Sequence, residues 1–344
     1  MDADLTFIED LKDLTVFIPT HERPGYLARI LAYWLHYGMT PRVVVCDSSQ
    51  EPFAMGAGFP GLRYFHFPGA PYVEKVARCL AEVGTPYVVF NADDDFLAPR
   101  AVGECVRFLE QNPDHASAQG RQAVFSVEGD RLRFKAVYRD NSRMNVDSND
   151  PAQRISQAFS PYMNQFYAVH CTENLRDFFA HARENGIRYP ILLEILLSLV
   201  SAARGRHRIL DVFYYAREQV ADSGGSRYKR LDLVLASSEL RDECRAMVRL
   251  AGQFLARASG MGQPDAEAAV GRALDAYLEN LPPAPGGFSR VKSRLRGALP
   301  EALVRAVRAG EPTDEDFSTY LAGFGPGARE DLAVMAGHIR AFRA

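Results

Sequence analysis

Apolar and polar positions along the first 220 residues follow two alternating rhythms. LTVFIPT at 14–20, RVVVCDSS at 42–49, LRYFHF at 62–67 and PYVVFNADDD at 86–95 are short β-rich runs that read as strands. Between them, Tyr26 to Tyr37 and Tyr72 to Val83 read as helices. This alternation predicts an α/β domain, a sheet with crossover helices. The pattern goes on with a helix over Ala101 to Gln111, a hairpin over 123–138 around Glu128-Gly129-Asp130, and a strand at 164–171. Helices over Glu173 to Glu184 and Ile191 to Arg204 then precede a last strand at 208–218. The α/β part therefore closes near residue 220, and a first domain over 1–228 is expected.

From Leu231 the strand-like runs vanish. Leu240, Cys244, Met247, Val248 and Leu255 recur at helical spacing, predicting an all-helical second domain over 229–344. The Pro- and Gly-rich LPPAPGG at 281–287 divides it into two halves, since such a cluster cannot continue a helix. In the basic stretch 289–310, Val291, Leu295, Leu299, Leu303 and Val307 recur every four residues and basic side chains fill the other faces. A packed helix with a solvated basic face is the preferred reading. The same pattern is compatible with contact to an anionic membrane surface or with a homodimer contact.

Composition narrows the class. Forty basic residues against 43 acidic ones, a net charge of −3, give no global pull toward nucleic acid. Cys46, Cys79, Cys105, Cys171 and Cys244 are odd in number and widely spaced, which suits reduced thiols better than a disulfide scaffold. The start MDADLTFIEDLKD lacks the basic-then-apolar pattern of a secretion signal, and the run from Ile191 to Val200 is too short to span a bilayer. A cytoplasmic protein is expected, at most peripheral at the inner face of the membrane. His21, His66, His170 and His207 lie outside any metal-ligand spacing, and no Ser-His-Asp order, P-loop or GxGxxG stands out.

The chemistry concentrates in Asp93-Asp94-Asp95. Three adjacent carboxylates at a strand end repel one another, so a positive partner is expected there. One or two carboxylates together with substrate phosphates suit Mg2+ or Mn2+, and the carboxyl ends of strands in open α/β sheets are where ligands bind. On an extended chain Asp93 and Asp95 would share one face, with Asp94 on the other. The competing reading is a solvated acidic turn ahead of the helix at Pro99.

Taken in order, VFIPTHERPGYLARIL, VVVCDSS, EKVARCLAEVGTPYVVF and NADDDFLAP resemble the nucleotide-sugar-binding half of inverting family-2-type glycosyltransferases with the GT-A fold, over about residues 14 to 110. The resemblance implies a Rossmann-like mixed sheet flanked by helices. It implies that Pro19, Thr20 and Arg23 contact the nucleotide, that Asp47 binds base or ribose, and that Lys75 and Arg78 lie beside base and diphosphate. The metal motif falls on Asp93 to Asp95, with Asp93 and Asp95 as the metal ligands and Asp93 and Asp94 also facing the donor. Relatives often carry an acid where Ala92 stands, which leaves the division of labour within the triplet open. On the residues alone, Asp47 also fits an Asx turn, Lys75 and Arg78 a solvated helix face, and Thr20 a helix cap.

Inverting transfer needs a general base at the acceptor hydroxyl. Glu194, within YPILLEILLSLV, has apolar neighbours that would raise its pKa toward the working range, and it falls where relatives place their base. Glu173, Asp177 and Asp211 are weaker alternatives. Arg217, after the last strand, would stabilise the departing diphosphate, as basic residues do there in relatives. The polar, Gly-rich ADSGGSR at 221–227 reads as an interdomain loop, with a lid as its alternative. The expected function is transfer of a sugar from a nucleotide-diphosphate donor, UDP- or GDP-linked, to a carbohydrate or related acceptor. Two other classes stay in view. A nucleotidyltransferase acting on sugar phosphates would carry a Gly-rich loop after strand one, where THERPGYLAR has a single Gly. A non-catalytic scaffold would have lost the acids or the base, and both are present.

Overall fold

A computed structural model of the chain describes Glu9 and residues 11–54, 58–128, 131–137, 144–220, 230–281 and 314–342. The turn residues Gly129 and Asp130, the 221–227 segment, all but the first residue of LPPAPGG and the basic stretch at 289–310 lie outside the described residues.

The first half alternates as expected: β1 (Leu14–Thr20), α1 (Pro24–His36), β2 (Val43–Asp47), β3 (Arg63–His66), α2 (Tyr72–Leu80) and β4 (Tyr87–Phe90). A two-residue strand β5 (Phe96–Leu97) and helix α3 (Pro99–Gln111) follow. The hairpin β6 (His115–Glu128) and β7 (Arg131–Val137), helix α4 (Pro151–Ala158) and strand β8 (Val169–Cys171) come next. The α/β part ends with α5 (Thr172–Glu184), α6 (Pro190–Arg204) and β9 (Arg206–Glu218). Four of these helices, α1, α3, α4 and α6, begin with Pro in their first turn, where its missing N–H breaks no hydrogen bond.

Two expectations are corrected. The run 86–95 is not one long strand, because β4 stops at Phe90 and Asp93-Asp94 sit in a turn. In 164–171 only the last three residues pair, since the aromatic stretch before them makes loop contacts instead. Helix α4 lies between the hairpin and the 164–171 run, where the pattern predicts no element.

The strands form one mixed sheet in the order β3-β2-β1-β4-β8-β6-β9-β5, with β7 hairpinned onto β6. Strands β3, β2, β1 and β4 run parallel, and β8 joins β4 antiparallel. Side-chain alternation feeds two cores. Phe17, Val44, Val88 and Phe90 face α2, α5 and α6, while Val16, Ile18, Val43, Val45 and Val89 face α1 and α3. Both faces being covered explains why these strands read as near-continuous apolar runs. Strand β9 is thirteen residues long; it runs along β6 through Glu218, and on its other edge Tyr215 pairs with Leu97 and Ala216 with Phe96. That pairing carries the end of β9 to the acidic turn.

The helices beyond residue 230 are α7 (Leu231–Leu235), α8 (Arg241–Ser259), α9 (Gln263–Glu279), α10 (Asp314–Ala322) and α11 (Pro326–Ala341). They pack on both faces of the sheet: α8 lies on α6 and α9 on α4, whereas α10 meets β7 and α11 meets α1 and α3. Met247, Leu250 and Val270 join the first core, and Phe317, Met335 and Ile339 the second.

Candidate functional site

The acidic turn is built by Asn91, the residue after β4. Its side-chain amide N–H groups donate to the carbonyls of Ala92 and Asp95, at 2.8 and 2.9 Å, and its side-chain Oδ1 accepts from the indole N–H of Trp34 at 2.9 Å. These bonds close residues 92–95 into a tight loop. The alternation expected of an extended chain therefore does not apply, and the three carboxylates take separate directions. Asp93 accepts from Thr20 Oγ1 at 2.7 Å and from Arg23 Nη1 at 2.7 Å. Asp94 accepts from Arg23 Nη2 at 2.8 Å through one oxygen. Asp95 points to the far end of the sheet, accepting from the Tyr215 hydroxyl and from the backbone N–H of Glu218.

Arg23 thus spans two carboxylates with one guanidinium, the bidentate role for which its planar fork is suited. Burial works against its charge, but Asp93 and Asp94 outweigh that and raise its pKa. Glu22 beside it has φ 54, a left-handed conformation uncommon outside Gly, held by its N–H to Ser49 Oγ at 2.7 Å. A second arginine, Arg29, lies beneath the turn, donating to the carbonyl of Asp94 at 2.9 Å and to Glu218 at 2.6 Å. Burial pushes Asp93 up to about 6; Arg23 opposes the rise and Asp94 adds to it. Asp95 is driven well above the usual carboxylate range by burial, then by Asp94, against the pull of Tyr215. The positive partners expected from the sequence are present, yet they leave part of the burden unrelieved.

The residues matched to nucleotide contacts divide into three settings. Thr20 and Arg23 reach the acidic turn, and half-buried Pro19 continues β1 beside Cys46. Asp47 is 2% exposed and forms an Asx turn, accepting from the N–H and hydroxyl of Ser49 at 2.8 and 2.6 Å. Its other oxygen takes the Tyr64 hydroxyl at 2.7 Å. Lys75 is buried under the ends of β1 and β2, donating to the Thr20 carbonyl and to Ser48 Oγ; burial lowers its pKa, although Cys46, Asp47 and Asp93 support the charge. The solvated helix face does not describe it, because Lys75 is buried and ties the ends of β1 and β2 together. Arg78 is exposed and lies over the Phe67 ring, 4.0 Å from its centroid.

Glu194 lies in the first turns of α6 and accepts from the Tyr162 hydroxyl at 2.9 Å through Oε1. Its pKa is raised by burial, with Tyr162 and Arg217 pulling the other way. Arg217, near the end of β9, is exposed and makes no hydrogen bond or ion pair among the described residues. Burial lowers its pKa less than Asp95, Tyr167, Tyr215 and Glu194 raise it. Its charge is therefore within electrostatic reach of both Asp95 and Glu194. Tyr167, stacked on Tyr215 with centroids 5.0 Å apart, senses the same groups. Of the alternative bases, Asp177 pairs with Arg204 and Asp211 with Arg121 at the surface, and Glu173 is exposed.

Arg29, Asn91, Tyr162, Tyr167, Tyr215 and Glu218 belong to the site without having been singled out from the sequence. Arg29 sits in the quoted helix as an ordinary basic residue, and the tyrosines carry no motif. For a metal, the donor set is oxygen only. Asp94 Oδ1 accepts no hydrogen bond among the described residues, and each oxygen of Asp95 keeps a second lone pair. No group of three or more His, Cys, Asp or Glu that could hold an ion is present among the described residues. The set fits a hard divalent cation that brings part of its coordination with a diphosphate.

A curled mixed sheet flanked by helices, with an acidic turn after its fourth strand, is the GT-A architecture. Residues 15–181 match the family model described as glycosyl transferase family 2. The fold is shared with S. aureus TarS 1-349, solved in complex with UDP-GlcNAc, at 12% identity and TM-score 0.52, covering 96% of this chain and 90% of that one. Against the longer TarS crystal structure the chain spans only 44% of the other's length, at 12% identity and TM-score 0.46. Glucosyl-3-phosphoglycerate synthase from Mycobacterium tuberculosis, solved with Mn2+, UDP and phosphoglyceric acid, aligns at 14% identity and TM-score 0.42, over 76% of this chain and 85% of that one. No curated protein matches the sequence. No helix among the described residues is long and apolar enough to cross a membrane.

Proposed function

We propose that the chain transfers a sugar from a nucleotide-diphosphate donor to an acceptor hydroxyl, with inversion and with help from a divalent cation. The observation that carries this reading is the buried Asp93-Asp94-Asp95 turn at the end of β4, where Arg23 pairs with Asp93 at 2.7 Å and with Asp94 at 2.8 Å. The family match over 15–181 supports the transferase class. UDP-GlcNAc in the complex of TarS 1-349 makes a uridine donor the first to test.

In this reading Asp95, with Asp94 beside it, would hold Mn2+ or Mg2+, and Asp93 fixes Thr20 and Arg23 at the mouth of the turn. The ion, when bound, supplies Lewis-acid neutralisation of the departing diphosphate. Arg23 orients the carboxylates and is one-quarter exposed, so it can also meet a phosphate. Arg217 stabilises charge as it develops on the leaving group. Glu194 takes the acceptor proton, its raised pKa bringing it toward working pH. A cytoplasmic setting is part of the proposal; membrane contact and homodimer formation would rest on residues outside those described.

The test is calorimetry of UDP binding with and without Mn2+, together with hydrolysis of UDP- and GDP-sugars by wild type, Asp95→Ala and Glu194→Gln. Binding should tighten with the ion in wild type but not in Asp95→Ala. Glu194→Gln should keep UDP binding and lose turnover by about 10²- to 10⁴-fold. Binding indifferent to both ion and Asp95, or full turnover in Glu194→Gln, would falsify the proposal.

A further inference from the structure

Tyr162 lies in the connection between α4 and β8, where no motif is legible. Its hydroxyl donates to Glu194 Oε1 at 2.9 Å, while Oε2 accepts no hydrogen bond among the described residues. One oxygen of the carboxylate is thereby held and the other left to receive a proton. Burial keeps the phenol protonated, its pKa raised well above the usual tyrosine range, so it remains a donor at every working pH.

The ring that carries this hydroxyl is itself held in an aromatic cluster. Phe159 stacks on Tyr162 with centroids 5.3 Å apart. Tyr277, near the C-terminal end of α9, meets Tyr162 at 5.0 Å and 61°, and Phe159 at 5.8 Å and 81°. Such tilted and edge-on contacts are favourable aromatic geometries. Helix α9 belongs to the segment appended after the α/β part, and it packs on α4, just ahead of Phe159.

We infer that Tyr162 is a positioning residue for Glu194, and that α9, through Tyr277, holds Tyr162 in place. The helical segment then takes part in the chemistry without touching substrate. The inference rests on Glu194 being the general base. The other groups facing Glu194 are Arg217 on β9, Tyr167 ahead of β8, and Ser198 one turn on along α6, whose hydroxyl donates to the Glu194 carbonyl at 3.3 Å. None of these hydrogen-bonds the carboxylate; among the described residues that contact is made by Tyr162.

The test is the pH profile of UDP-sugar hydrolysis by wild type, Tyr162→Phe, Tyr277→Leu and Glu194→Gln. Tyr162→Phe keeps the ring packing and deletes one donor to the ionised carboxylate, so Glu194 should hold its proton to higher pH. A base works deprotonated, so the acidic limb of kcat should move to higher pH by about one unit, with donor KM unchanged. Tyr277→Leu should move the limb the same way by a smaller amount. It decides the matter if Tyr162→Phe fails to fold, as checked by its thermal unfolding. An acidic limb unmoved in both variants, with Glu194→Gln inactive, overturns the inference and leaves the base assignment standing. Glu194→Gln with wild-type turnover removes the base assignment itself.

Discussion

Replacing Arg23 by Ala perturbs the site at its most concentrated charge. The guanidinium makes ion pairs of 2.7 and 2.8 Å to Asp93 and Asp94, whose side chains are 5% and 10% exposed, while its own is 25% exposed. It also lies 4.2 Å from the centroid of the Tyr26 ring. Breaking a fully buried pair costs about 3–5 kcal/mol; a discount for the exposed quarter of the arginine gives about 2–3 kcal/mol at pH 8. The loss should depend on pH. Asp93 titrates at about 6 in the folded protein, above its unfolded value, so its neutral form favours folding at low pH and that contribution is lost as pH rises through 6. Without Arg23 the folded value climbs further, and Asp93 is costlier to ionise above pH 6. At pH 5 Asp93 is already mostly protonated in both proteins, and the loss should shrink to about 1 kcal/mol, from the Asp94 contact and the ring. Urea denaturation of wild type and Arg23→Ala at pH 5 and pH 8 measures both numbers. Arg23→Lys, which can satisfy one carboxylate at a time, should recover only part of the loss. An equal loss at both pH values, or a larger one at pH 5, would refute the reasoning.

Two further outcomes test the supporting structure. Asp331, on α11 and 3% exposed, is pushed to about 7 by burial against the pull of Arg100 at 3.6 Å. Its neutral form favours folding below pH 4, and that stability is lost as pH rises through 7. Asp331→Asn should therefore gain about 1–2 kcal/mol over wild type at pH 8.5, after allowance for the lost pair, and nothing at pH 5; a destabilised variant at pH 8.5, read from urea midpoints, would contradict this. Gly120 in β6 has no room for a Cβ, which would sit 2.6 Å from the Val212 carbonyl and 2.7 Å from Tyr214 Cβ, both on β9. Gly120→Ala should cost about 2–3 kcal/mol by denaturant titration, and an unchanged midpoint would show that the two strands can part.

The elements most legible in the sequence were those whose signal is local. Strand β1 falls on the predicted residues, because a strand buried on both faces writes an apolar run in consecutive positions. Glu194 was legible for the same reason, its apolar helical neighbours announcing a carboxylate that burial would perturb. The acidic run was legible as chemistry but not as geometry. Its conformation depends on Asn91, anchored by Trp34, which is 57 residues away in sequence. The burial of Lys75 was not legible, because its helix looks half polar, whereas the ammonium is drawn inward by the Thr20 carbonyl at the end of β1 and the Ser48 hydroxyl just after β2.

By itself the sequence determined the α/β alternation, the ordered motifs of a family-2 glycosyltransferase domain and the residue types able to hold a diphosphate and accept a proton. These follow from period, propensity and charge within short windows. Only the tertiary structure decided where each carboxylate points, that the end of β9 lies against Asp95, and that Tyr162 and Tyr277 stand behind Glu194. Those facts are hydrogen bonds and ring contacts between residues far apart in the chain. A side chain's partner at such a distance is set by how the sheet curls and the helices dock, and no local pattern encodes it.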